Sequence, residues 1–181
     1  MIDTASTWVD AIVGESDPAN AWKKILTALR ELALSSSKSG ALDRATVAPD
    51  RLIANTAWNL WDVFQSNAPT AIDELKRFWV QTKASGTAVL LLDALSLREL
   101  PIIVAAAEER GLIPTRIDAL ASQVPSDTDH FAAALGISGR SKLFNNQPPA
   151  SFIFGGPDVH TDVLDAPFAD CTAMIPSKPR L

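Results

Sequence analysis

The sequence holds one cysteine, Cys171, among 181 residues, so no disulfide can form within the chain. It has only two histidines, His130 and His160, and no Cys/His spacing that is typical of a zinc site. So little cysteine is typical of proteins in a reducing compartment, and we expect a cytoplasmic protein.

Long apolar runs are also missing. The longest, residues 102–107, is far shorter than the roughly 20 residues that a membrane-spanning helix needs. The first residues, MIDT, lack the basic and apolar regions of a signal peptide. The sequence therefore predicts neither a membrane anchor nor a secretory leader.

Basic residues are few and scattered, and the net charge is -5. A protein that binds nucleic acid through phosphate neutralisation needs a basic face, so direct nucleic-acid binding is not expected. Apolar residues make up 47% of the chain, which is enough to build a buried core.

The pattern of residues 1–84 is helical. Asp17-Pro18 is a helix start, with an N-cap followed by Pro at the first helical position. Residues 50–64 carry apolar positions at helical spacing. Thr70 and Asp73 have the spacing of a capping box, which predicts another helix after Pro69.

All five tryptophans lie in this helical half. An aromatic stripe at helical spacing indicates a core, so Trp22, Trp58, Trp61 and Trp79 are expected to pack the helices together. The alternative is an interface with another subunit or domain.

After Ser85-Gly86 the pattern changes to alternating strands and helices, which is typical of a parallel α/β sheet. We predict an α/β fold in which the helical half precedes a partial parallel sheet with flanking helices, and domains at residues 1–84 and 85–181. The predicted strands are Thr87–Leu92, Ile113–Ser122 and Ser151–Phe154, and the predicted helices are Ala94–Arg110 and Asp129–Leu135.

Two places could carry chemistry. Asp93 ends the apolar run 87–92, and open α/β sheets bind ligands at the carboxyl ends of their strands. Oxygen ligands suit hard or borderline divalent metals; the alternative is that Asp93 caps the following helix. In the segment 124–130, Asp127 or Thr128 falls at a helix N-terminus, where a hydroxyl can act as a nucleophile; the alternative is an ordinary N-cap.

These two places carry a family resemblance. Residues 87–101, TAVLLLDALSLRELP, resemble the opening strand of the alkaline phosphatase superfamily, in which an apolar strand delivers a metal-binding Asp. Pro125-Ser126-Asp127-Thr128 resembles that superfamily's Pro-Ser/Thr-x-Thr motif, whose last residue is the nucleophile at a helix N-terminus. The pair is most similar to the PglZ branch, whose best known members belong to the BREX phage-defence systems of bacteria. The resemblance covers about residues 86–156.

The resemblance implies an alkaline-phosphatase-like core fragment, the N-terminal portion of a PglZ-like, metal-dependent phosphoester hydrolase. Asp93 would be a metal ligand, Thr128 the nucleophile and a metal contact, and the metal Zn²⁺ or Mn²⁺; both side chains should then face one cleft. The family's remaining ligands are an Asp with a His four residues later and then an Asp-His pair. They have no match here, since Asp158 and His160 are two residues apart.

The missing ligands leave three hypotheses open. A C-terminal portion or a protein partner could supply them, in which case the isolated chain is inactive and holds metal only once the site is complete. The alternative is a catalytically degenerate scaffold or partner-binding protein of a defence complex. The third is an α/β domain with no site.

Overall fold

The computed structural model describes residues 9–10, 12–36, 40–56, 58–81, 87–156 and 159–163, and over these ranges the protein is mainly helical. A 3₁₀ helix spans Arg140–Asn146. The α-helices, in chain order, are α1 (Pro18–Ser35), α2 (Ala41–Thr56), α3 (Trp58–Trp61), α4 (Phe64–Asn67), α5 (Ala71–Gln81), α6 (Leu100–Glu108) and α7 (Thr128–Ala134).

Two helix starts follow directly from the sequence, as predicted. At α1 the side chain of Asp17 accepts a 3.0 Å hydrogen bond from the backbone N–H of Ala19, and Pro18 stands at the first helical position. At α5 the N–H of Asp73 donates to the hydroxyl of Thr70, which in turn donates to the Asp73 carboxylate. Local capping chemistry therefore fixes both helix starts.

The predicted parallel sheet is wrong: across the ranges that the structure describes, no strand is formed. The three predicted strands are 87–92, 113–122 and 151–154. In all three, the backbone is irregular or turned, apart from a single β-bridge residue at Ala121. The α/β class and the alkaline-phosphatase-like core fragment are therefore not what this chain adopts in its described part.

Backbone groups in two of these segments are used elsewhere, which explains why they do not pair as strands. The carbonyl of Ile117 accepts a 2.8 Å hydrogen bond from the Arg30 side chain. Around residues 151–154 the chain makes two tight turns, with Phe152 N–H donating to Pro149 O and Gly155 N–H to Phe152 O. A strand needs a neighbouring strand to satisfy its backbone groups along its length. These segments instead use a side chain, turns and single backbone hydrogen bonds, from Ala121 N–H to Pro69 O and from Ile153 N–H to Leu135 O.

The run 87–92 lacks a strand for a different reason. A continuous apolar run is stable as a parallel strand when both of its faces are covered. Here Leu90 and Leu92 are 73% and 55% exposed. The apolar composition of 87–92 predicted a buried strand, but no described residues cover these leucine side chains enough to bury them.

The described residues form two compact units, each with its own core. The first unit comprises the residues up to Pro69 together with Leu92–Ala121, and the second Thr70–Leu91 together with the residues from Ser122 onward. The boundary predicted between residues 84 and 85 lies outside the described residues and stays a prediction. The buried side chains of the first core are Trp22, Ile25, Ala68 and Ala121; those of the second are Ile72, Ala132, Leu135, Ile137, Phe152 and Phe154.

The tryptophans do not form one common core. Trp22 is buried in the first unit, and Trp79 packs against the core of the second. Trp58 and Trp61, which were expected inside, are 73% and 52% exposed. Helical spacing located the helices correctly but did not show which of their faces is buried. None of the helices in the described ranges is long and apolar enough to cross a membrane.

Candidate functional site

Thr128 is the first residue of α7, and Asp127 is the N-cap before it. The Asp127 carboxylate accepts a 2.8 Å hydrogen bond from the backbone N–H of His130. Of the two residues that the sequence placed at this helix start, Asp127 therefore does the capping. Thr128 lies at the helix N-terminus, as expected, with an exposed side chain.

The imidazole of His130 turns back onto the same carboxylate, with Nδ1 2.7 Å and 2.9 Å from the two oxygens of Asp127. The backbone N–H of His130 and then its ring lower the pKa of Asp127. Asp127 is therefore ionised at neutral pH and lies, with Asp129, on either side of Thr128. Two carboxylates flanking a hydroxyl repel a phosphate dianion unless a cation offsets them.

Asp93 follows the irregular run 87–92 and is exposed. Its carboxylate accepts a 2.8 Å hydrogen bond from the N–H of Ala94, which has a φ of 60°. Glu99 occupies the N-cap position of α6 and makes no side-chain cap hydrogen bond, so the alternative in which Asp93 caps the following helix is wrong. The chain bends at Ala94, directly after Asp93 and well ahead of that helix.

Asp93 belongs to the first unit and Thr128 to the second. Their convergence on one cleft stays a prediction. Among the described residues no three His, Cys, Asp or Glu side chains are grouped closely enough to hold a metal ion. The Zn²⁺ or Mn²⁺ site that the resemblance implies therefore needs ligands from outside these residues, and it stays a prediction. His160 is exposed, and Asp158 and Cys171 lie outside the described residues.

An aromatic ladder that was not predicted from the sequence runs from the first core to the surface. Trp22 meets Phe64 edge to face with ring centroids 4.7 Å apart, and Phe64 stacks on Trp61 at 5.2 Å. Trp22 is 6% exposed and Trp61 is 52% exposed, so the ladder ends in solvent. Trp58 lies one turn before Trp61 on α3. The i, i+3 spacing of the two tryptophans was visible in the sequence, but it indicated a shared face without showing that this face is exposed.

A second missed feature is the apolar surface of α6. Residues 100–107, LPIIVAAA, contain no polar side chain, which is typical of a helix that is buried on all sides. Nevertheless Ile102 is 69% exposed, and no residue of α6 is fully buried. The lack of polar side chains was visible in the sequence, but it indicated a buried helix and did not show that part of the apolar surface is exposed.

No family model, curated protein or solved structure matches this chain.

Proposed function

We propose that this chain is a protein-binding component, the scaffold or partner-binding alternative, and that it docks a protein partner through Trp58 and Trp61. The observation that supports this function is the exposure of two neighbouring tryptophans on α3. Tryptophan is enriched among the few residues that dominate binding energy at protein interfaces.

The aromatic ladder holds the Trp61 ring in place before a partner binds. Because Trp61 stacks on Phe64, and Phe64 packs on buried Trp22, the exposed ring is held from below by the core. A side chain that is ordered before binding loses less conformational entropy when its partner arrives. The partner needs an apolar recess for the two rings and a polar rim. By the PglZ resemblance, it is another component of a cytoplasmic defence complex.

Site-specific photo-crosslinking tests this function. A photoreactive phenylalanine analogue at position 58 should give one dominant adduct with another protein in the cells that make the chain. The same analogue at Val80 is the control, because Val80 is 67% exposed and lies in the other unit. Trp61→Ala should remove the adduct at position 58. Equal adducts at both positions would mean that Trp58 marks no docking surface.

A PglZ-like phosphoester hydrolase is the second candidate, and the position of Thr128 favours it. The family's nucleophile lies at a helix N-terminus, and Thr128 is the first residue of α7. Since the described residues do not form a metal site, this activity requires ligands that lie outside them. Asp93 remains the proposed ligand within the chain.

Hydrolysis of p-nitrophenyl phosphate and of its bis-ester, with Zn²⁺ or Mn²⁺ added, tests the second candidate. We expect no turnover by the chain alone. Metal-dependent hydrolysis that Thr128→Ala abolishes and Ser126→Ala retains would establish the hydrolase instead, because the two hydroxyls belong to one segment and only Thr128 fits the nucleophile position.

A further inference from the structure

Four residues line the outward side of α6 and its two ends. Ile102 and Ala105 lie within the helix, Arg98 lies in the turn before it, and Glu109 is its C-cap. They are spaced i, i+4, i+7 and i+11, so they follow one another along one side and form a stripe. All four are exposed. Three half-buried residues of α6, Leu100, Val104 and Ala107, lie on the opposite side, and the half-buried Pro101 and Ala106 lie beside the stripe. The helix packs against α1 in the first unit.

This stripe is complementary to itself when a second copy lies antiparallel to it. The pairs Ile102 with Ala105 and Arg98 with Glu109 are both centred on the midpoint between Ile103 and Val104. A two-fold axis at that midpoint therefore brings both pairs together at once. A parallel arrangement would instead set Arg98 against Arg98 and Glu109 against Glu109.

Each pair suits the contact that it would make. Ile102 is large and Ala105 is small, so each isoleucine can lie over the alanine of the other helix and let the two axes approach closely. Arg98 and Glu109 carry opposite charges, and the antiparallel direction also opposes the two helix dipoles. A dimer with this two-fold symmetry uses the same patch on both copies.

Arg98 is already held in place for this contact. Its Nε and Nη2 donate to the carboxylate of Asp43 at 2.9 Å and 2.8 Å, while 65% of its side chain stays exposed. The guanidinium has five donor hydrogens, so it can serve a second carboxylate. Arg110, next to Glu109, donates to the carbonyl of Ala106 at the end of α6 and lies away from the stripe.

From this geometry we infer that two copies of the chain associate through antiparallel α6 helices. Ile102 packs on Ala105 of the other copy, and Arg98 pairs with Glu109 of the other copy. Leu95, Leu112 and Ile113, exposed near the two ends of α6, extend the apolar contact. One helix stripe is smaller than a standard interface of about 800 Å² per partner, so we expect reversible association at roughly 10–100 µM. This surface is separate from Trp58 and Trp61, so either proposal can fail alone.

Sedimentation equilibrium over that concentration range tests the dimer. The mass of the native chain should rise from 19.4 kDa toward about twice that value. Ile102→Asp places a charge at the centre of the contact and should weaken association at least about 100-fold. Ala105→Glu should do the same, and as a change to a good helix former on an exposed face it preserves the fold. Val80→Asp is the matched control and should associate like the native chain.

A charge-reversal experiment tests the antiparallel register. Arg98→Glu alone and Glu109→Lys alone each create two like-charge pairs in their own dimers, so each should associate roughly 5- to 10-fold more weakly. Mixed together, they form a heterodimer in which both pairs have opposite charges, and native affinity should return. A native chain that stays monomeric, an Ile102→Asp variant that associates normally, or a mixture without rescue would each overturn the proposal.

Discussion

The indole Nε1 of Trp22 donates a 3.1 Å hydrogen bond to the backbone carbonyl of Leu60, 38 residues further along the chain. The bond ties α1 to the carbonyl near the end of α3, and the edge-to-face contact of Trp22 with Phe64 lies beside it. The Trp22 side chain therefore fills part of the first core and also donates a hydrogen bond to the partly buried carbonyl of Leu60.

Trp22→Phe should lower the free energy of unfolding by about 2 kcal/mol, because it removes volume from the core and takes away one of the two donors to the Leu60 carbonyl, the other being the N–H of Val63. Trp58→Phe should change it by less than about 0.5 kcal/mol, because Trp58 is mostly in solvent. Urea denaturation measures both. Equal losses for the two variants would contradict the buried role of Trp22.

Arg30 holds the segment before Ala121 by two contacts of different kinds. One guanidinium nitrogen donates to the Ile117 carbonyl at 2.8 Å and lies 3.3 Å from the Asp118 carboxylate. Arg30→Met should destabilise the protein by about 1.5–3 kcal/mol, since it removes a charged donor to a partly buried carbonyl. Asp118→Asn should have an effect below about 1 kcal/mol, because the ion pairs of Asp118 with Arg30 and with Arg116 are both partly exposed.

The dependence of stability on salt distinguishes the hydrogen bond of Arg30 to Ile117 from its ion pair with Asp118. Raising ionic strength screens exposed ion pairs. The effect of Asp118→Asn should therefore shrink in 1 M NaCl, while most of the effect of Arg30→Met should persist. If both effects disappeared together, the hydrogen bond to Ile117 would contribute nothing to stability.

We expect Asp127 to contribute to the free energy of unfolding at neutral pH and to lose this contribution in acid. Its pKa is lowered in the folded protein, first by the backbone N–H of His130. A carboxyl whose folded pKa lies below its unfolded value of about 3.9 adds stability above that pH, and this stability is lost as pH falls through the folded pKa. Asp127→Asn keeps an N-cap acceptor but cannot ionise. The stability difference between native protein and variant should therefore shrink as pH falls below about 4.

His130→Gln is the control for this titration. It removes the ring but keeps the backbone N–H, which is the main cause of the lowered pKa. Most of the pH dependence should therefore remain, as measured by urea denaturation at stepped pH. A difference between native protein and Asp127→Asn that stays constant down to the lowest pH would refute the role of Asp127.

Local features of the sequence predicted local structure well. Asp17 and the Thr70–Asp73 pair determined where helices begin, because each cap is satisfied within three residues of the chain. The predicted sheet failed because a strand depends on distant partners, and the Ile117 carbonyl is satisfied by Arg30, 87 residues away. Thr128 was correctly placed at a helix N-terminus by its neighbours. The predicted closeness of Thr128 to Asp93 is a long-range relationship that no local pattern contains, and it stays a prediction.

Two glycines at helix ends give a matched pair for the last prediction. Gly111 follows α6 and Gly136 follows α7, and both adopt positive φ, 74° and 83°. In each case the glycine N–H and the next N–H bond back to carbonyls of the last helical turn. The two positions therefore share a backbone conformation that favours glycine.

Gly136→Ala should be far more destabilising than Gly111→Ala. A Cβ at position 136 would lie 1.9 Å from the carbonyl oxygen of Ser151, whereas a Cβ at 111 would meet nothing within 4 Å. Gly111→Ala thus carries only the strain of positive φ, about 1 kcal/mol. Gly136→Ala adds a clash with a backbone atom that cannot move without displacing Phe152, a buried core residue, so a loss above about 3 kcal/mol is expected. Thermal unfolding followed by circular dichroism compares the two variants, and similar melting temperatures would show that Gly136 and Ser151 are not in close contact.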